Sequence, residues 1–175
     1  MRDNQKWIKE LHDFFVKDEN WDIACDTVKA VSEIETYWKQ LFWGNVLEQC
    51  YELFDEKMWK VFDYEDQVDI HPINDKYKHM EHCCVTIKCD EVDGCWYGIW
   101  SDLKRNHKKI AEFSEGIRLS SGDELWFKPR VHPYLDAAQL GMDAKQNFEG
   151  AKELAKQTGK FIEEYKIRDF LLNLK

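Results

Sequence analysis

No stretch of this chain is apolar for long enough to cross a bilayer, which takes about 20 consecutive apolar residues as a helix. The opening residues, Met1 to Lys6, are polar, and no apolar core follows them. We therefore expect no secretory signal and a soluble, cytoplasmic protein with no membrane partner. Glycine is sparse at 8 residues and scattered singly, which excludes a glycine-rich phosphate loop. Gly-x-Ser-x-Gly and His-Glu-x-x-His are both missing, and with them two common hydrolase signatures. No Cys-x-x-Cys pair occurs. In a cytoplasmic setting the six Cys read as reduced thiols, not as a disulfide framework. Repeats and low-complexity segments are absent, and no cofactor is expected.

What the sequence does have is aromatic residues and uneven charge. Apolar residues make up 43% of the 175 positions, and 8 of them are Trp, enough for a core in one domain. Such aromatics anchor either a core or an interface. The net charge is −9, but residues 1–100 hold 11 Lys+Arg against 22 Asp+Glu, while residues 101–175 hold 14 against 12. Within the first part, residues 1–66 hold 8 against 16. Phosphates would be repelled there, which disfavours general nucleic-acid binding by that part.

Hydrophobic periodicity places helices first. Asp3-Asn4 caps a helix running to about Lys17, with Trp7, Leu11 and Phe14 at i, i+4, i+7. A longer helix starts at about Trp21. Its stripe of Cys25, Val28, Val31, Ile34, Trp38, Leu41 and Phe42 resumes at Val46 after a break or kink at Gly44-Asn45. The spacing predicts two or three antiparallel helices before the sheet, their stripes packed as core. Residues 55–80 are hard to read; Met58 to Phe62 fits a short strand or a last helical turn.

The stretch His82 to Trp100 organises the rest. Cys83, Val85, Ile87 and Cys89 alternate with Cys84, Thr86 and Lys88, Asp90 to Gly94 supplies turn residues, and Cys95 to Trp100 returns. The return strand is apolar on both faces, so it is expected at the centre of an antiparallel sheet. A helix capped by Ser101 or Asp102 follows. A second hairpin is expected around Ser120 to Asp123, and Pro129 and Pro133 are expected to end regular pairing. From Asp143, which has capping-box spacing with Gln146, a long C-terminal helix is expected, divided at Gly159 and ending in a docked Phe170-Leu-Leu172. The expected fold is α+β in one domain, 1–175. It comprises an acidic helical region (1–66), an antiparallel sheet with one inserted helix (67–136) and C-terminal helices (137–175).

The order Trp96-Tyr-Gly-Ile-Trp100, amphipathic helix, Leu125-Trp-Phe127, Pro133-Tyr-Leu-Asp136 and long charged terminal helix resembles the C-terminal part of bacterial PD-(D/E)XK nuclease-like superfamily proteins. The resemblance covers residues 83–175. Catalysis in that superfamily needs an acid, then an acid-x-Lys on a neighbouring strand, to hold Mg²⁺ and orient water. Here the strand reads Thr86-Ile-Lys88, with Thr in the place of the acid. The resemblance therefore implies a non-catalytic relative, and no catalytic residue carries over.

His79, His82, Cys83, Cys84, Cys89 and Cys95 are zinc-ligand types crowded into seventeen residues. Their irregular spacing favours core packing of the thiols. If an ion is held, His79, His82, Cys84 and Cys95 are the best four. A Cys–His nucleophile has no surrounding signature. Asp90, Glu91 and Asp93 read as a solvated turn, not a calcium loop. Lys104, Arg105, Lys108 and Lys109 form the one basic cluster. A solvated helix face is the favoured reading, and a patch for nucleic acid or an acidic partner is the functional one. Asp13, Asp18, Glu19, Asp22 and Asp26 cluster around the first helix-to-helix turn. They would steer a basic protein partner, although solubility explains them equally well.

These features point to a non-enzymatic protein-interaction protein, inhibitory or regulatory. Small acidic proteins of phages and mobile elements that block host nucleases are the analogy. The alternatives are a hydrolase acting on nucleic acid and a nucleic-acid-binding module using helix 104–109.

Overall fold

The computed structural model describes residues 2–74, 82–90, 94–113, 119–121, 124–126, 130–132 and 136–174. Helix α1 (Arg2–Phe15) and helix α2 (Trp21–Leu53) are joined by a short 3-10 turn at Asp18–Asn20. Strands β1 (Trp59–Tyr64), β2 (Gln67–Pro72), β3 (Cys83–Asp90) and β4 (Gly94–Ser101) follow, then helix α3 (Lys104–Phe113). Three short strands come next: β5 (Leu119–Ser121), β6 (Glu124–Trp126) and β7 (Arg130–His132). Helices α4 (Ala137–Lys145), α5 (Glu149–Glu164) and α6 (Ile167–Leu172) close the chain. The fold is α+β, as expected. The chain divides into two compact units, 1–38 and 39–175, with the division inside α2.

In the second unit an antiparallel sheet of five strands has the order β1-β2-β3-β4-β7, and β5-β6 form a separate hairpin. The β3–β4 pairing is the expected hairpin, with Val85 opposite Ile99 and Ile87 opposite Tyr97. All four of these side chains are buried. Fully burying each aliphatic one contributes about 1.5–3 kcal/mol, so this pair of strands anchors the core. That face of the sheet meets the C-terminal helices: the Tyr97 and Phe161 rings lie 5.2 Å apart, and Arg168 of α6 donates to the Ile73 carbonyl at 2.9 Å. Burial pushes the Tyr97 hydroxyl pKa up, helped by Tyr165 and Glu164 nearby.

Four expectations are corrected. First, α2 passes through Gly44-Asn45 unbroken; Asn45 spends its side-chain amide on the Leu41 carbonyl at 2.8 Å, within the helix's own turn. Second, of the two readings of Met58 to Phe62 the strand holds and the helical turn does not. Trp59 to Tyr64 pairs along its whole length with Gln67 to Pro72, so the sheet begins inside the region read as helical. Third, β7 lies between the two prolines expected to end pairing and adds to the β4 edge, with His132 opposite Cys95 and Arg130 opposite Trp96. Fourth, the C-terminal segment is divided into three helices, at Asn147-Phe148 and at Lys166 and not at Gly159. Asn147, Phe148 and Lys166 adopt left-handed backbone conformations that no helix continues through. Gly159 does not divide α5.

Asp143 caps a helix, but not its own. From α4 its carboxylate accepts from Gly150 N at 2.7 Å and Ala151 N at 3.3 Å, the open amides at the start of α5. A Cβ at Gly150 would sit 2.7 Å from that carboxylate, which explains the glycine. Asp136 caps α4 by accepting from Gln139 N at 2.8 Å. The C-terminal tail docks as expected: Ile167, Leu171 and Leu174 are buried.

Candidate functional site

The unit formed by residues 1–38 is built differently. Among its described side chains, residues 9–17 and 19–38, only Ala24 is buried. Leu11, Phe14, Val16, Trp21, Ile23, Val28, Val31, Ile34 and Tyr37 are all exposed, Trp21 by 58% and Val28 by 71%. The expectation that this stripe packs as core is therefore overturned for its N-terminal half. The stripe is buried only after Trp38, at Phe42, Val46 and Cys50.

Phe15 at the end of α1, Val16 just after it, and Trp21, Ala24, Cys25 and Val28 from the start of α2 line an apolar groove of about 670 Å³. Four of the five expected acidic partner residues, Asp13, Glu19, Asp22 and Asp26, are exposed and lie within two positions of these lining residues in sequence. The side chain of Asp18 lies outside the described residues. An apolar groove beside solvated carboxylates is the surface that the charge pattern alone could not reveal. Charge showed where the acids were, but not that the stripe between them would face solvent.

The basic cluster lies on the outward face of α3, as expected. Lys104, Arg105, Lys108 and Lys109 are exposed, and Lys108 Nζ lies 3.8 Å from Glu112 Oε1, which offsets part of its field. The same helix turns Asn106, Ile110 and Ala111 inward.

The expected zinc set is not brought together. Cys95 is disulfide-bonded to Cys89, directly opposite it across the β3–β4 ladder, so these two are not reduced thiols. Cys84 points to the other face of the sheet, because alternate residues of a strand face opposite sides. His82 is exposed and its Nδ1 lies 3.0 Å from Asp102 Oδ2. His79 lies outside the described residues, as do Glu91 and Asp93 of the turn.

Cys84 instead belongs to a cluster that sequence reasoning missed. Asp69 and His71 alternate on β2 and share a face with Cys84 and Thr86 of β3; Asp69 is opposite Thr86 in the register. Donor atoms of Asp69, His71 and Cys84 all lie within 4.8 Å of one another. Asp69 is 7% exposed, His71 6%, and Cys84 and Thr86 are fully buried. Gln67 Nε2 donates to Asp69 Oδ1 at 2.8 Å, and Thr86 Oγ1 donates to the same oxygen. The Phe62 ring stands edge-on to the His71 ring at 5.0 Å. Burial, then the Asp69 charge and the neighbouring Cys83, push the Cys84 thiol well above its usual pKa. Burial and the charges of Asp69 and Cys84 likewise raise the pKa of Tyr64. The acid-x-Lys position keeps its Thr86, so Asp69 is the only carboxylate of this buried cluster.

A second groove, of about 450 Å³, runs between Leu53 to Trp59 and helices α5 and α6. It carries Asp55, Glu163 and Asp169 interleaved with Lys156, Lys160, Lys166 and Arg168, but no His or Cys. Among the described residues no helix is long and apolar enough to cross a membrane. No family model, no curated protein and no solved structure matches this chain.

Proposed function

We propose that this chain is a non-enzymatic interaction protein, and that residues 9–37 are its docking surface. One observation carries the reading: nine large apolar side chains are exposed within residues 9–37, where Ala24 is the single described side chain that is buried. Singly exposed apolar residues are ordinary, but a continuous set is not, because each holds unfavourable apolar surface in water until something covers it. The occupant that fits is a partner helix carrying an apolar stripe flanked by Lys and Arg. The stripe fills the groove between Phe15 and Val28. Its basic flanks meet Asp13, Glu19, Asp22 and Asp26, which raise the encounter rate more than the final affinity. An inhibitory or regulatory role for such binding is part of the proposal. The enzymatic alternative is weaker, because the sheet's buried polar cluster offers one carboxylate where metal-dependent nucleic-acid hydrolysis would use more.

The test uses the full chain as bait in lysate of its source cells, beside three variants: Val28→Glu, the triple reversal of Asp13, Asp22 and Asp26 to Lys, and the triple reversal of Lys104, Arg105 and Lys108 to Glu. A specific partner should be lost by the first, weakened by the second and kept by the third. Its association with the parent should slow as salt rises from low to moderate. Loss in the third variant alone would move the site to α3. Equal retention by all four would leave the exposed stripe and the acidic charge without a binding role. A parent that dimerises, as read by sedimentation, with Val28→Glu abolishing it, would assign the groove to a second copy of the chain.

A further inference from the structure

We infer that Asp69, His71 and Cys84 form a zinc site that ties β2 to β3. Three donors of different chemistry, a carboxylate, an imidazole and a thiol, converge within 4.8 Å on one face of two paired strands. This is a ligand set that zinc takes, with thiolate and imidazole selecting it over magnesium or calcium. Bond lengths of about 2.0 Å to N and O and 2.3 Å to S place tetrahedral donors about 3.5 Å apart. The widest pair allowed by the observed spread therefore closes by at most about 1.3 Å.

Burial strengthens the inference. Six polar or charged side chains are buried among the described residues: Asp69, His71, Thr86, Ser101, Asn106 and Thr158. The last three have local explanations. Asn106 Nδ2 donates to Ser101 Oγ at 3.0 Å where α3 begins, and Thr158 Oγ1 donates to the Leu154 carbonyl at 2.9 Å within its own helix. The other three all belong to the proposed site. On binding, Cys84 releases its thiol proton to solvent and ligates as thiolate, Asp69 ligates as carboxylate and His71 as neutral imidazole. The two negative charges balance the ion's two positive ones, so the filled site is neutral. Gln67 and Thr86, which both donate to Asp69 Oδ1, are the outer partners that orient a ligating carboxylate, and the Phe62 ring edge limits rotation of His71.

The experiment uses the full chain without a histidine tag, refolded with one equivalent of Zn²⁺ or Co²⁺. The expected results are about one zinc per chain by elemental analysis and, with Co²⁺, a sulfur-to-cobalt charge-transfer band. Cys84→Ser should abolish the band, whereas Cys83→Ser, its neighbour on the opposite face, should keep it. Thr86→Val, which retains the shape of the side chain, should weaken Co²⁺ binding by about 10–100-fold. Fewer than about 0.1 zinc per folded chain with no cobalt band in the parent would overturn the inference, leaving a hydrogen-bonded buried cluster. The parent measurement decides this even if Cys84→Ser fails to fold. A band that survives in folded Cys84→Ser, or one that Cys83→Ser removes, would place the metal elsewhere and also overturn it.

Discussion

Residues 21–37 and residues 83–101 are similarly rich in large apolar side chains, and the fold treats them in opposite ways. In the strands, Val85, Ile87, Tyr97 and Ile99 are covered, while in the helix Val28, Val31 and Ile34 stand in water. The difference lies in what each stretch has opposite it. The β3 residues meet β2 on one side and β4 on the other, and the C-terminal helices lie over one face. The N-terminal helices offer one another only the short groove between Phe15 and Val28. Apolar content records how much surface wants covering. Burial records whether the chain itself covers it.

The largest expected effect is the contrast in core substitutions. Ile87→Ala should cost about 2–4 kcal/mol, because the deleted atoms leave a cavity in a close-packed sheet. Val28→Ala should change stability by less than about 0.5 kcal/mol, as surface changes do. Urea denaturation of both variants measures the contrast. Equal losses would mean that the N-terminal stripe is covered after all.

Next is Asp143→Ala, expected to cost about 1 kcal/mol through loss of the cap on α5. Gly150→Ala should reproduce much of that loss by displacing the same carboxylate. Thermal melting checks both. An Asp143→Ala variant as stable as the parent would deny the cap its role.

The thiols give a pH signature confined to the second unit. Burial raises Cys50 from the ordinary 9.0 to about 12, and burial together with Asp102 does the same for Cys83. The unfolded chain then ionises these thiols first as pH rises, so the folded state holds more protons above pH 9.0. Stability contributed below pH 9.0 should therefore fall progressively as pH climbs towards 12. Denaturation midpoints across that window test it, and Cys50→Ala should flatten the slope. A slope unchanged in that variant would contradict the assignment. The smallest effect in energy is the sharpest in location: near pH 8 an alkylating reagent should label Cys25, the exposed free thiol, well before Cys50, Cys83 and Cys84.

The sequence was legible where local pattern and tertiary outcome agree. The alternation around Ile87 and Tyr97 revealed the central hairpin, and the stripe after Trp38 revealed the buried half of α2. It was misleading where periodicity is blind to partners. Val28 and Val31 keep helical spacing whether or not anything packs on them. The Asp69, His71 and Cys84 cluster was illegible for a different reason. Two of its members sit in a stretch dominated by turn residues, and the third was grouped with thiols nearer in sequence. Only the β2–β3 register brings them together. The β3–β4 register shows why Cys84 and Cys95 cannot share an ion, since alternation along the strands sets them on opposite faces.

The claim that residues 9–37 are an uncovered docking surface is tested most directly by hydrogen exchange on the full chain, free and with its captured partner. In the free chain the amides of residues 21–37 should exchange far faster than those of 83–89 and 95–101, because helix held by few tertiary contacts opens locally at little cost. Saturating partner should slow exchange over 9–37 and leave the sheet unchanged. Protection in the free chain as strong as that of the sheet, or partner-induced protection that appears elsewhere and spares 9–37, would contradict it.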